Sequence, residues 1–136
     1  DLDQGSPLRS EIEARGLCDQ VFLIGQCADI AGVMNALDIL CLSSSYGEAF
    51  PNVLCEAMAC GTPCVTTDVG DSAFIVDNTG WVVPPRSPAL LAEALCSSIV
   101  TLGDSERQAN ARRRIVENFS VERMAEAYRS AWSRND

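Results

Sequence analysis

Two glutamates in the middle of the chain have the chemistry to bind a sugar ring. Glu48 follows a serine-rich segment, and Glu56 comes eight positions later in an apolar segment with a helical pattern. A carboxylate accepts two hydrogen bonds from the vicinal diol of a ribose or hexose, and each charge-assisted bond contributes about 1.5–3 kcal/mol. Taken alone, the spacing favours a plainer interpretation, in which Glu48 is a solvated loop acid and Glu56 a surface residue of its helix.

The helix that carries Glu56 is predicted to start without a capping side chain. Pro51 suits the first helical position and Gly61 is a usual stop. Phe50 precedes the helix and has no side-chain acceptor, so the first backbone N–H groups have no obvious internal partner. Free N–H groups at a helix start bind anions or ligand hydroxyls. We therefore expect a ligand site within residues 43–56.

The elements that position this segment alternate between short apolar runs and helical patterns up to residue 86. Such alternation predicts a parallel sheet with helices on both faces, and ligands bind such sheets beyond the carboxyl ends of the strands. From residue 87 the pattern is helical only. Strands are predicted at residues 21–25, 38–42, 63–67 and 80–83, and helices at 8–15, 30–37, 51–59, 73–76, 87–102, 104–118 and 120–133.

The charge of the 136 residues excludes several functions. Nineteen acids and ten bases give a net charge of −9, and the chain has no histidine and no lysine. Histidine-based catalysis and lysine Schiff bases are therefore excluded within this chain, and most of the surface would repel nucleic acid. The basic stretch at residues 112–114 could touch anionic lipid, but three arginines in a chain of net charge −9 give little attraction to a membrane. A solvated helix face is therefore the favoured interpretation.

The seven cysteines are odd in number, lie mostly in apolar runs and form no C-x-x-C pair. This pattern is typical of reduced, buried thiols in a cytosolic protein, and it argues against a metal site. No apolar stretch reaches the ~20 residues that span a bilayer. We therefore expect a cytoplasmic location. Trp81 and Trp132 are expected to pack in the core or between helices.

Residues 43–68, SSSYGEAFPNVLCEAMACGTPCVTTD, resemble the signature of retaining nucleotide-sugar glycosyltransferases of the two-domain GT-B fold, the glycosyl transferases group 1 family. The shared marks are the two glutamates around Phe50-Pro51-Asn52, followed by Glu-Ala-Met-Ala-x-Gly-x-Pro-x-Val. Nearly the whole chain fits the second half of that family's donor-binding domain. The resemblance implies a Rossmann-like α/β fold, an incomplete C-terminal half of a GT-B fold with a helical tail.

The resemblance also implies roles for individual residues. Glu48 would be the catalytic residue and contact hydroxyls of the transferred sugar, while Glu56 would bind the ribose diol of the nucleotide. Transfer in this family retains configuration and normally requires no metal and no cofactor besides the donor nucleotide sugar. The implied donor-binding set is Ser45, Gly47, Glu48, Ala49, Phe50, Asn52 and Glu56.

One departure from the family's pattern lies after the third predicted strand. The family often has Gly-Gly after the aspartate that corresponds to Asp68, and here the sequence continues Val69-Gly70-Asp71. The departure bears on how closely the backbone approaches a phosphate. Gly70 is either a turn residue or a ligand contact.

We expect residues 1–136 to form a single partial donor-binding domain, with an α/β part at 1–86 and C-terminal helices at 87–136. The family's acceptor-binding domain and the start of its donor domain, which normally brings a basic pair to the diphosphate, have no counterpart in this sequence. We expect the isolated chain to be inactive. The alternatives are a nucleotide-sugar epimerase of related fold and a non-catalytic nucleotide-sugar-binding module. Peripheral association with the inner face of the cell membrane stays open, because many members of the family work at a membrane surface.

Overall fold

The computed structural model describes residues 6–133, which contain no helix long and apolar enough to cross a membrane. The chain divides into two compact units, Asp1–Ile30 and Ala31–Asp136. A 3-10 turn, Asp77–Thr79, precedes the strand Trp81–Val83. The elements are α1 (Pro7–Ala14), α2 (Ile30–Ala36), β1 (Leu40–Leu42), α3 (Asn52–Cys60), β2 (Cys64–Thr67), α4 (Ser72–Val76), β3 (Trp81–Val83), α5 (Pro88–Val100), α6 (Ser105–Asn118) and α7 (Val121–Trp132).

The first unit contains α1, whose start follows from two neighbouring residues. The Ser6 side chain accepts a hydrogen bond from the Arg9 N–H (3.2 Å), and Pro7 occupies the first helical position, where its missing N–H costs nothing. The helix ends just before Gly16, which has a φ of +65°. The predicted helix is confirmed.

The strand predicted at residues 21–25 is wrong. The described part of the chain has no strand there, and Phe22 and Ile24 are 75% and 67% exposed. A strand exists only when its backbone N–H and C=O groups pair with a neighbour, and no described residue pairs with this segment as a strand. The apolar composition is therefore typical of a strand, but composition alone does not supply a partner.

The second unit contains a three-stranded sheet in the order β1-β2-β3, and both pairs are parallel. Leu40 pairs with Cys64 in the first pair, and Val65 with Trp81 in the second. The predicted parallel sheet is confirmed, with strands one or two residues shorter at their amino ends than the sequence pattern indicated.

Alternate residues of β2 enter two different cores. Cys64 packs with Met58, Ile75 and Ile115 from helices α3, α4 and α6 on one face. Val65 packs on the other face with the Ala94 side of α5. Because side chains alternate along a strand, helices on both faces leave β2 completely buried.

The prediction of buried thiols is wrong for most cysteines. Among the seven, all of which are free, only Cys64 is buried, and Cys18, Cys41 and Cys96 are exposed. Cys41 lies on β1, which we expected to be buried on both faces, but helix α5 packs on β2 and β3. Burial raises the pKa of the Cys64 thiol to about 12, and the neighbouring Cys55 adds to the rise.

Two arginines of the 112–114 stretch bind backbone carbonyls. Arg112 donates to the Ala59 oxygen in the last turn of α3, and the Arg114 Nε donates to the Ile75 oxygen in the last turn of α4 (2.8 Å). A cation at a helix C-terminus complements the helix dipole. The predicted solvated face is confirmed for Arg112 and Arg113, which are exposed, whereas Arg114 is half-buried; the Arg113 side chain donates to its helix neighbour Asn110.

The two tryptophans differ in environment. Trp81 is half-buried under the Arg107 guanidinium, which lies 4.7 Å from the ring centroid. Trp132 is 72% exposed and contacts the Tyr128 ring at a centroid distance of 6.0 Å. The expected core or interhelical packing is therefore wrong for Trp132, because α7 has no buried residue.

Candidate functional site

Two loops meet at the carboxyl end of the sheet. The segment at residues 43–51 follows β1, and the segment at 68–71 follows β2. The Thr67 hydroxyl at the end of β2 donates to the Ser44 carbonyl (2.6 Å), and the Asp71 N–H donates to the Ala49 carbonyl (2.8 Å). These two hydrogen bonds fix both ends of the Glu48 loop to the neighbouring strand and its loop.

Gly70 makes the closest approach between the two loops. Its φ is +58°, and a Cβ at this position would lie 2.5 Å from the carbonyl oxygens of both Glu48 and Ala49. Only glycine fits this conformation and this space without displacement of the backbone. Of the two roles open for Gly70, the geometry supports the turn, and it adds that the turn is packed against the Glu48 loop.

Glu48 is half-buried and is oriented by a neighbouring hydroxyl. The Ser44 Oγ donates to the Glu48 Oε1 at 2.7 Å. An ionised carboxylate has about four acceptor positions, so one hydroxyl donor leaves capacity for the diol of a ligand. Sequence reasoning missed Ser44 as a partner of Glu48, although the serine-rich composition of this loop was the available signal.

Helix α3 begins beside this loop, and no side chain caps it. Pro51 is the N-cap residue, one position earlier than the helical role predicted for it, and it makes no side-chain capping bond. The prediction of an uncapped helix start is confirmed. Uncapped N–H groups at this end carry partial positive charge that suits an oxyanion or hydroxyl.

The remaining predicted site residues are solvent-facing. Glu56 lies on α3 about 6 Å along the helix axis from Asn52, since each residue rises ~1.5 Å, and both side chains are exposed. Ser45, Gly47 and Ala49 are exposed in the loop, and Gly47 has a φ of +86°. The hydrogen bonds described above fix the backbone around Glu48. Glu56 is placed near this loop only because it lies on α3, which begins beside the loop.

The Phe50 side chain contacts Phe119 at the end of α6, a contact that the sequence analysis did not predict. Its ring lies 5.7 Å from the Phe119 ring, centroid to centroid. A separate cavity of about 240 Å³ is lined by Ser43, Ser45, Thr67 and Arg86. Arg86, which has a φ of +59°, was also missed, and it places a cation at the carboxyl end of the sheet.

The glycosyl transferases group 1 family model matches residues 3–101 of the chain. Over 98 residues the chain is 38% identical to the phosphatidyl-myo-inositol mannosyltransferase of Mycobacterium leprae, which covers 69% of this chain and 26% of that protein. It is 37% identical over 124 residues to the D-inositol 3-phosphate glycosyltransferase of Rhodococcus erythropolis, with 85% and 28% covered.

Solved structures support the same assignment. The Anabaena HepE structure in complex with UDP superposes with a TM-score of 0.85 at 27% identity, over 93% of this chain and 35% of that one. A glycosyltransferase of Rickettsia africae has a TM-score of 0.88 at 23% identity over 93% of this chain and 35% of its own, and shows the shared fold. The chain spans about a quarter to a third of the length of these four proteins. The GT-B fold and the family match together show that this chain belongs to the glycosyl transferases group 1 family.

Proposed function

We propose that this chain is the donor-binding part of a retaining hexosyltransferase, which holds a nucleoside diphosphate sugar while the sugar passes to an acceptor bound elsewhere. One observation carries the proposal: the Glu48 carboxylate, oriented by Ser44, lies three residues before Pro51, the N-cap residue at the uncapped start of α3. The HepE structures in complex with UDP and with UDP-glucose support a nucleotide sugar as the ligand.

Glu48 is the proposed catalytic residue, and it orients the transferred sugar. Its carboxylate accepts hydrogen bonds from ring hydroxyls, while backbone N–H groups of Ala49, Phe50 and Asn52 donate to the sugar or the diphosphate. Pro51 itself has no N–H to offer. Fixed donors and acceptors lower the barrier because they need no reorganisation during the reaction. Ser45 and Gly47 complete the proposed set of donor contacts.

Glu56 is the proposed ribose contact. Its exposed position in the second turn of α3 leaves both carboxylate oxygens accessible to a vicinal diol. The two glutamates would then divide the donor between them, with Glu48 at the sugar and Glu56 at the nucleotide.

The transfer we propose proceeds on one face of the sugar. The bond from the anomeric carbon to the diphosphate oxygen breaks through an oxocarbenium-like state, and the acceptor oxygen bonds to the same face. The acceptor proton passes to an oxygen of the leaving diphosphate. The mechanism requires no metal, so donor binding should be unchanged by EDTA.

We propose further that transfer needs the acceptor-binding domain and that the cations for the diphosphate come mainly from residues outside this chain. The seven free cysteines support a cytoplasmic location, with the inner membrane face as the alternative. Sugar transfer by the purified 136-residue chain would contradict the first of these statements.

Calorimetric titration of UDP-, GDP- and ADP-sugars against the chain tests the proposal. Glu56→Ala should weaken both the nucleotide and the nucleotide sugar about ten- to a hundredfold, since one to two charge-assisted bonds are lost. Glu48→Ala should weaken only the nucleotide sugar. Glu93→Ala, a surface change on α5, is the matched control. Equal binding by the wild type and Glu56→Ala would remove Glu56 from the ribose role.

The same titration separates the rivals. A non-catalytic binding module, which the aspartate at position 71 favours, would bind donor and still fail to transfer when the longer protein is assayed with acceptors. An epimerase would change the sugar of the donor with no acceptor present. Chromatography of the incubated donor distinguishes that outcome.

A further inference from the structure

Three aromatic rings form a cluster next to the Glu48 loop. Phe119, at the C-terminal end of α6, lies 5.7 Å from the Phe50 ring and 5.5 Å from the Phe74 ring, the latter edge to face. Phe50 directly follows Ala49 in the loop, and Phe74 lies on α4. Phe119 therefore connects the loop after β1 to the helix that follows β2.

Arg114 joins the same cluster from α6. Its guanidinium carbon lies 5.6 Å from the Phe119 ring centroid and 5.8 Å from that of Phe74. The guanidinium also donates to the carbonyls of Phe74 and Ile75 and pairs with Asp77 at 3.2 Å. One side chain thus contacts the aromatic cluster and holds the last turn of α4.

Backbone hydrogen bonds connect the aromatic cluster back to the Glu48 loop. The Ile75 N–H donates to the Asp71 carbonyl (2.8 Å), and the Asp71 N–H donates to the Ala49 carbonyl (2.8 Å). Ala49 is bonded to Phe50, whose ring returns to Phe119. The loop backbone is therefore held in two ways. The Ala49 carbonyl is bonded to Asp71, which leads through α4 to Arg114, and the Phe50 ring contacts Phe119. Arg114 and Phe119 both lie at the C-terminal end of α6.

We infer that Arg114 and Phe119 are positioning residues for the Glu48 loop: they set the backbone of residues 48–50 that contacts the donor sugar. Neither residue belongs to the motif that resembles the family signature, and neither is in the proposed donor-binding set. The functional meaning of the inference rests on the proposed function. The contacts themselves do not, so the first test needs no ligand.

Amide hydrogen exchange, measured residue by residue by NMR on the whole chain, provides that test. Phe119→Leu removes the ring contacts, and the Asp71 amide, which donates to the Ala49 carbonyl, should exchange about tenfold faster, the scale of one lost aromatic pair. The amides of Val65 and Thr66 in β2 should be unchanged. Phe119→Tyr keeps the ring and should restore the protection.

Arg114→Gln and Arg114→Lys test the second positioning residue. Arg114→Gln should release Asp71 and Ile75 in the same way, and Arg114→Lys should restore only part of the protection, because lysine lacks the planar fork of donors. Arg113→Gln is the matched control on the same helix, and it should leave every one of these amides unchanged.

Titration with UDP and with UDP-glucose measures the ratio of the two affinities, which a general loss of stability would not change. Phe119→Leu should lower the affinity for UDP-glucose about tenfold and the affinity for UDP by less, because the ribose of UDP is held by Glu56 on α3. Unchanged exchange at Asp71 in both Phe119→Leu and Arg114→Gln would overturn the inference, as would equal acceleration at Asp71 and in β2. A wild type that binds no nucleotide sugar, with the exchange effect present, would instead contradict the proposed function.

Discussion

The loop around Glu48 and the apolar segment at residues 21–25 contrast sharply. The loop is irregular and mostly polar, yet its backbone is fixed by Thr67, Asp71 and the close approach of Gly70. The segment has the composition of a buried strand, yet Phe22 and Ile24 are exposed. In these two regions, whether the backbone is fixed depends on partners distant in sequence and not on the local pattern of side chains.

Matched isoleucines test this contrast with the largest expected effect. Ile75 is fully buried and Ile24 is 67% exposed. Ile75→Ala should lower the free energy of unfolding by about 4 kcal/mol, because a buried side chain leaves a cavity. Ile24→Ala should change it by less than ~0.5 kcal/mol. Urea denaturation followed by tryptophan fluorescence measures both, and similar losses would mean that residues 21–25 are covered in solution.

Matched glycines sharpen the comparison. Gly70 and Gly25 both have positive φ angles, but a Cβ would meet the backbone only at Gly70. Gly70→Ala should therefore cost about 3 kcal/mol, from strain and backbone displacement together. Gly25→Ala should cost about 1 kcal/mol from the φ angle alone. If both variants lose the same free energy in urea, the contact between the two loops is not formed.

Titration of the buried thiol Cys64 tests whether the face of β2 that carries it is covered. The pKa of Cys64 is raised from 9.0 to about 12, so the folded state keeps its proton while the unfolded state loses it. Stability should therefore fall as pH rises from 9 to 12, by roughly 1 kcal/mol per pH unit from this group. Denaturation of Cys64→Ala across that range should show a shallower slope. Identical slopes would contradict the burial of this thiol.

The smallest effect concerns the hydroxyl that holds the start of the loop. Thr67→Val keeps the shape of the side chain and removes its bond to the Ser44 carbonyl. We expect the free energy of unfolding to fall by about 1 kcal/mol and the amide resonances of residues 45–48 to shift. Ser97→Ala, which removes an exposed hydroxyl bonded within α5, is the control and should have no effect on this loop.

Local signals predicted the helices well. Ser6 with Pro7, Gly61, and Ser120 gave helix ends that the structure confirms within about two residues, because capping depends on neighbours in sequence. The uncapped start of α3 was predictable for the same reason, from the absence of an acceptor at Phe50.

The errors concern contacts between distant residues. Nothing near residue 119 signals a ring contact with Phe50, and nothing near Arg114 signals the carbonyl of Ile75. Cys41 was expected to be buried because its neighbours are apolar, but exposure depends on which strands α5 covers. The predicted strand at 21–25 failed for the same reason, since pairing is a property of two segments.

The contact between Phe50 and Phe119 has a consequence for the order of events during synthesis. A ribosome releases the chain from its N-terminus, so the complete signature at residues 43–68 emerges long before the ring that packs behind it. Until residue 119 has left the ribosome, the Glu48 loop is complete in sequence but lacks the contact between Phe50 and Phe119. The contact between Phe50 and Phe119 therefore forms only after residue 119 has been made, and a product that stops at residue 110 would carry every residue of the signature without this contact.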